Sequence, residues 1–273
     1  MSVFNQKVAA ITGAGSGIGR ELALQLAQKS CHLSLSDVDE QGLVQTIELI
    51  NNSKIKITSQ KVDVAQQAQV QAWAEHTIQE HGAVHFIFNN AGVALGSTVE
   101  GASYEELNWI MDINFWGVVY GTKEFLPLIK QAGEGYVINI SSLFGLVSQP
   151  TQSAYNATKF AVRGFTESLI QELELENSKV GALCVHPGGI RTNIANSARS
   201  NESLNRLGLS TNDFNRFLRC PPEEAARQIL AAVQNKQRRL LIGYDAKALD
   251  LVQRFLPTHY SKVIQFLNRF VEK

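Results

Sequence analysis

The chain has 273 residues, 44% hydrophobic and 18% charged, which is ample apolar material for one large core. Lys plus Arg and Asp plus Glu number 25 each, and a formal charge of zero leaves no electrostatic footprint for nucleic acid. Three scattered cysteines without a C-x-x-C pattern, no apolar leader and no run of about 20 apolar residues favour a cytoplasmic protein over a secreted or membrane-spanning one.

Strand-like and helical patterns then alternate along the chain. "KVAAIT" reads as a first strand and "GIGRELALQLAQ" as the helix behind it. "HLSLSD" and "EQGLVQTIELIN" repeat the unit, as do "KITSQKVD" and "QAQVQAWAEHTIQEHG". "HFIFNNAG" is a fourth strand, followed by one long helical region from about Tyr104 to Ala132. "YVINISS", "KVGALCVHPGG" and "RLLIG" supply three more strands, with helices near Ala154–Glu176 and Pro222–Asn235 between them. Repeated βα units with continuous apolar strands predict an α/β fold: a doubly wound, Rossmann-type parallel sheet of about seven strands with helices on both faces. A single domain over 1–273 is expected. Its polar segment 193–220 would form a substrate lid, and 246–273 a helical C-terminal extension.

The first βα turn carries glycine at Gly13, Gly15, Gly17 and Gly19, with Ser16 and Ile18 between them. Gly13 allows a tight turn, Gly17 lets backbone approach a pyrophosphate, and Gly19 lets helix pack close to strand. Glycine loops also occur as plain turns, so the loop gains weight from Asp37, which ends the second strand 24 residues after Gly13. A carboxylate there takes both hydroxyls of an adenosine ribose and repels a 2′-phosphate. NAD is therefore favoured, while Arg20, inside the helix turn, leaves NADP open. "NNAG", Asn89–Gly92, closes the fourth strand at the same sheet edge.

The fifth large strand ends at Ser142, with Tyr155 thirteen residues on and Lys159 four beyond it. Positions i and i+4 share one helix face, so phenol and ammonium can occupy one site. An unperturbed tyrosine is a poor acid or base at neutral pH, and neighbouring positive charge favours its phenolate. Tuned in that way, Tyr155 exchanges a proton with an alcohol or ketone oxygen while hydride moves.

With these motifs in order, the chain resembles the short-chain dehydrogenase/reductase family, in its single-domain NAD(P)-dependent branch. The resemblance runs from about Lys7 to Gly243. It rests on Thr12-Gly13-x-x-x-Gly17-x-Gly19, Asp63, Asn89-Asn90-Ala91-Gly92, Asn114, Ser142, Tyr155-x-x-x-Lys159 and Pro187-Gly188-x-x-x-Thr192. It implies that Ser142 binds the substrate oxygen and that Tyr155 is the acid/base. Lys159 would hold the nicotinamide ribose and lower the tyrosine's pKa, and Asn114 would organise a relay water. Asp63 and Val64 would sit at the adenine, Asn90, Ala91 and Gly92 along the cofactor edge, and Pro187, Gly188, Ile190 and Thr192 at the carboxamide end.

The expected activity is hydride transfer between nicotinamide and a secondary alcohol or ketone. The apolar Leu143, Phe144, Leu146 and Val147, with Leu204, Leu207, Leu209, Phe214 and Phe217 in the lid, suit a steroid, a retinoid or a long-chain alcohol better than a sugar. The alternative is a non-catalytic NAD(P)-binding regulator or scaffold, since fold alone does not separate the two. A homodimer or homotetramer is expected and no metal; His81 and His85 do not share a helical face, and His186 reads as a strand-end residue bordering the site. Tyr260, Val263, Ile264, Leu267, Phe270 and Val271 form one face of a C-terminal amphipathic helix. Packing on the protein is favoured for that face, with a peripheral membrane contact through Lys262, Arg269 and Lys273 as the lesser alternative.

Overall fold

The computed structural model describes residues 2–191, 194, 198–200, 203 and 220–263. Its first half follows the alternation read from the sequence: β1 (Val8–Thr12), α1 (Gly17–Gln28), β2 (His32–Asp37), α2 (Glu40–Leu49), β3 (Ile57–Lys61), α3 (Gln67–His81) and β4 (Phe86–Asn89). A two-residue β5 (Leu95–Gly96) precedes α4 (Tyr104–Met111) and α5 (Gly117–Gln131). Then come β6 (Gly135–Ile140), α6 (Ser153–Leu175), β7 (Val180–Pro187), a short β8 (Arg199–Ser200), α7 (Pro222–Gln234), β9 (Arg239–Ile242) and α8 (Tyr244–Phe255).

Seven strands form one parallel sheet in the order β3-β2-β1-β4-β6-β7-β9. β1 is buried along its whole length, as a strand covered on both faces must be, whereas the edge strand β3 carries the polar "ITSQK". Alternate residues of β1 feed different layers. Ala9 and Ile11 join Leu22, Leu26, Leu33, Phe88 and Ile229 under α1, α2 and α7. Val8 and Ala10 join Trp73, Ile87, Phe125, Val137 and Leu169 under α3, α5 and α6. The chain order reverses between β1 and β4, so the crevice for a ligand opens at the carboxyl ends of these central strands.

Three local features depart from the reading of the sequence. The helical region after Tyr104 is interrupted by a widened π turn at Asp112–Trp116, which separates α4 from α5. β5 and β8 pair as a separate two-stranded sheet, Leu95 opposite Arg199 and Gly96 opposite Ser200. Within the helical extension expected over 246–273, α8 stops at Phe255, because Leu256 precedes a proline and leaves the helical region; helical structure resumes at Tyr260. α8 is anchored by Asp250, mostly buried, which accepts from Arg239 of β9 at 2.6 Å and from Arg254 at 3.0 Å.

Candidate active site

The glycine loop is built into the sheet edge. The buried Thr12 hydroxyl accepts from the backbone N–H groups of Asn90 (2.9 Å) and Ala91 (3.0 Å). The Asn90 amide donates back to the carbonyls of Thr12 (3.0 Å) and Gly13 (3.2 Å). Gly13 turns at φ +66°, where a Cβ would lie 2.9 Å from Asn90 Nδ2, and a Cβ on Gly19 would collide with the Gly13 carbonyl. Gly17 also turns through a positive φ, and the exposed Ser16 N-caps α1 in extended conformation without a side-chain bond to it. The first-turn N–H groups have no intrahelical partners by helix geometry, and no side chain caps them from Ser16. Ile18 turns inward, nearly buried.

Asp37 meets this loop directly. Its carboxylate accepts from Gly15 N–H at 2.8 Å and from Asp39 N–H at 3.0 Å. Arg20 does not project toward it as a free cation. Its guanidinium donates to the Gly15 carbonyl, to Thr46 Oγ1 (3.0 Å) and to Gln45 Oε1 (3.1 Å), bracing the loop against α2. Beyond β3, Asp63 caps its own turn by accepting from Ala65 N–H at 3.0 Å, and Val64 is buried against Gly117. An uncapped helix start, glycines where no Cβ fits, and a carboxylate at the β2 end together fit a dinucleotide phosphate and ribose.

Two strands further along, Ser142, Tyr155 and Lys159 converge. Ser142, almost buried at the N-cap of a 3-10 turn (Leu143–Gly145), accepts from Phe144 N–H at 3.1 Å. Its hydroxyl is also hydrogen-bonded to the Tyr155 phenol. Burial pushes the phenol up from its ordinary value, and the bond with Ser142 works against that. The lowering expected from the sequence is thus not produced by the chain's own groups, because desolvation outweighs them. Lys159, 3% exposed, donates to the Ile140 carbonyl at 3.0 Å and lies 5.6 Å from the Tyr155 ring centre. Burial lowers its ammonium to about 8.

Asn114 is fully buried in the π turn. Its side chain accepts from Val93 N–H (2.8 Å) and donates to the Val93 carbonyl (2.9 Å) and to Thr158 Oγ1 (3.3 Å). Thr158 in turn donates to the Tyr155 carbonyl at 2.8 Å. Gly92 fits between the two groups: its Cβ would stand 3.2 Å from Asn114 Oδ1 and 3.5 Å from Lys159 Nζ. The loop after β4 and the reacting cluster are therefore one constellation, and the Asn114 side chain acts in it as a brace.

His186 does more than border the site. It is fully buried, its Nδ1 donates to the Ser142 carbonyl at 3.0 Å, and Nε2 has no partner among the described residues. Burial lowers it to about 4, so it is neutral and carries its proton on Nδ1. Sequence reasoning had only its position before Pro187 to go on.

At the end of β7, Gly188 N–H donates to the Ile242 carbonyl (2.9 Å) and Gly189 N–H to Asp245 Oδ2 (2.7 Å). Ile190 is buried and bridges to Cys220, while Thr192 lies outside the described residues. So do the lid residues Leu204, Leu207, Leu209, Phe214 and Phe217, and the tail residues Ile264, Leu267, Arg269, Phe270, Val271 and Lys273. An apolar wall beside the cluster joins Leu143, Val147 and Ala246 with Phe144, Leu241, Leu249 and Tyr260. Phe144 stands edge-on to Tyr155, with ring centres 6.2 Å apart. The Tyr260 hydroxyl accepts from Ser148 N–H at 3.1 Å, so the first aromatic of the tail faces the protein. On the opposite side Arg199 stacks over Trp109 at 3.8 Å. Among the described residues no cluster of His, Cys, Asp and Glu is arranged to hold a metal, and no helix is long and apolar enough to cross a membrane.

Comparison with known proteins places the fold in a family. The short chain dehydrogenase family profile matches residues 7–203. The Mycobacterium tuberculosis protein SadH, named as an oxidoreductase, is 44% identical over 264 residues, 97% of this chain and 96% of that one. A cyclohexanol dehydrogenase from Acinetobacter is 35% identical over 191 residues, covering 69% of this chain and 75% of its own. Among solved structures, a short chain dehydrogenase/reductase from Burkholderia phymatum in complex with NAD superposes with a TM-score of 0.86 at 30% identity, covering 93% of this chain and 95% of that one.

Proposed function

The chain belongs to the short-chain dehydrogenase family, and on that premise we propose that it is an NAD-dependent oxidoreductase acting on a lipophilic secondary alcohol or its ketone. The observation that carries this reading is the grouping of Ser142, just beyond β6, with half-buried Tyr155 and buried Lys159 on α6. Hydride acceptance or delivery is the chemistry that a nicotinamide supplies when bound. The chain's own residues do the rest. Ser142 orients the substrate oxygen, held from behind by His186 on its carbonyl. Tyr155 takes the proton from an alcohol or gives it to a ketone. Lys159, as an ammonium, favours the phenolate, and Asn114 fixes the backbone around both.

Gly13, Ser16, Gly17, Ile18 and Gly19 would hold the pyrophosphate, and Asp37 the adenosine ribose. Asp63 with Val64 would meet the adenine, and Asn90, Ala91 and Gly92 the cofactor edge. Pro187, Gly188, Ile190 and Thr192 would enclose the carboxamide end. The engagement of Arg20 with the loop and α2, and of Lys61 opposite Asp37 with Glu40, supports NAD over NADP, since both cations are already held by other groups. The parent should therefore favour NAD in kcat/KM. Replacing Asp37 with Ser and the exposed Val38 with Arg should reverse that preference. Equal use of both cofactors by the parent would remove Asp37 as the selecting residue.

The wall of Leu143, Phe144, Val147 and Tyr260 supports an apolar substrate. The aromatic side chains at the start of α5 and on α6 support a homodimer or homotetramer contact in this region. There Trp116 is 42% exposed and stacks on Tyr120, and Phe115 meets Phe165 edge-on. Buried free thiols at Cys31 and Cys184 support a reducing, cytoplasmic setting. A screen of secondary alcohols and ketones with NAD and NADP tests the reading, and the absence of any cofactor-linked turnover would oppose it.

A further inference from the structure

Asp245 stands in the first turn of α8, beyond the residues matched by the family profile. Its exposed carboxylate lies against two glycines, one at the end of each neighbouring strand. Gly188 follows β7, and a Cβ there would run into both Asp245 carboxylate oxygens. Gly243 follows β9 at φ +96°, and its Cβ would strike Asp245 Oδ1. Asp245 Oδ2 accepts the Gly189 N–H at 2.7 Å.

The turn so gripped has few other ties. Gly188 N–H reaches the Ile242 carbonyl at 2.9 Å, and the Gly189 carbonyl accepts from Cys220 N–H at 3.0 Å. Two successive glycines have wide conformational freedom, so an anchor on this turn reduces the shapes open to it. Its place in the sheet gives the anchor meaning. The phosphate loop lies at the end of β1, and the reacting Ser142 and Tyr155 lie beyond β6, two strands away in the order β1-β4-β6-β7. A dinucleotide held across these strand ends, with its adenosine at Asp37, would bring its reactive ring toward Tyr155. The next backbone beyond β6 is the Pro187–Gly189 turn.

We propose that Asp245 is a positioning residue for the nicotinamide end of the cofactor, acting through the Gly188–Gly189 turn. The inference rests on the NAD reading above and adds to it a residue from the C-terminal helix. It separates the two halves of the dinucleotide: Asp245 acts on the ring end and leaves the adenosine end alone.

The test compares the parent with Asp245→Ala and Asp245→Asn, titrating each with NADH and with ADP-ribose, which lacks the ring. Loss of one charge-assisted bond should weaken NADH binding to Asp245→Ala about tenfold, with ADP-ribose within about twofold of the parent. Asp245→Asn keeps an acceptor oxygen and should restore NADH affinity to within about twofold. KM for NAD should rise in the alanine variant more than kcat falls. The proposal is overturned if NADH and ADP-ribose weaken together, if NADH binding is unchanged in Asp245→Ala, or if the asparagine variant is as weak as the alanine. A parent that binds neither ligand would instead overturn the NAD reading itself, so the two failures are distinguishable.

Discussion

Replacing Tyr155 with phenylalanine should leave the fold and NADH binding intact and cut turnover by about 10²–10⁴-fold, the usual contribution of a positioned acid/base. Among the described residues, the phenol is the titratable side chain that the Ser142 hydroxyl meets. Phenylalanine keeps the ring that Phe144 meets edge-on, and Ser142 retains its bond from Phe144 N–H. The variant therefore removes a proton path and little packing. Circular dichroism and NADH titration check the first half, and steady-state kinetics the second. Turnover within about threefold of the parent would dismiss Tyr155 as the acid/base.

Lys159→Met should reduce kcat/KM at least as strongly, and it has a second signature in stability. Burial lowers the Lys159 pKa from 10.5 to about 8, so the folded chain releases this proton at lower pH than the unfolded chain does. Between these values the unfolded state binds more protons, and stability rises with pH. The cost of burying the charge is full below about pH 8 and has gone above about pH 10.5, a span worth on the order of 3 kcal/mol. Methionine carries no proton, so stability of the parent relative to Lys159→Met should climb from neutral to alkaline pH. Denaturant midpoints across that range measure it. A difference that stays flat, or falls, would show that Lys159 is not a buried cation. A site that keeps a costly charge for its chemistry is the expected pattern of stability given up for activity.

Most strand limits were legible because the pattern that marks them is local. Val8–Thr12, His32–Asp37 and Phe86–Asn89 are short apolar runs stopped by glycine, aspartate or asparagine, and the structure ends them within a residue or a few of where the sequence suggests. The convergence of Tyr155 and Lys159 was legible for the same reason, since helix periodicity alone puts them on one face. The widened turn at Asp112–Trp116 was not, because a π turn keeps helical composition and is set by what Asn114 grips across the fold, the Val93 backbone. His186 and Asp245 are long-range cases. Their partners, the Ser142 carbonyl and Gly189 N–H, are 44 and 56 residues away and are backbone groups, which leave no trace in composition. The engagement of Arg20 is also not legible in sequence, because its partners Gln45 and Thr46 lie on α2, 25 and 26 residues away. The phenol's direction of shift depends on how deeply the site is buried, which no spacing reveals.

Hydride transfer by this chain, as against dinucleotide binding alone, is read most directly from an isotopic label. Secondary alcohols of increasing apolar size, deuterated at the carbinol carbon, should be incubated with NAD and the parent protein, and the recovered cofactor examined by mass spectrometry. Deuterium should appear in the reduced nicotinamide with the parent, and about 10²-fold or more slowly with Tyr155→Phe. NAD that binds to the parent but is recovered wholly oxidised across the series would contradict hydride transfer and favour a non-catalytic regulator or scaffold.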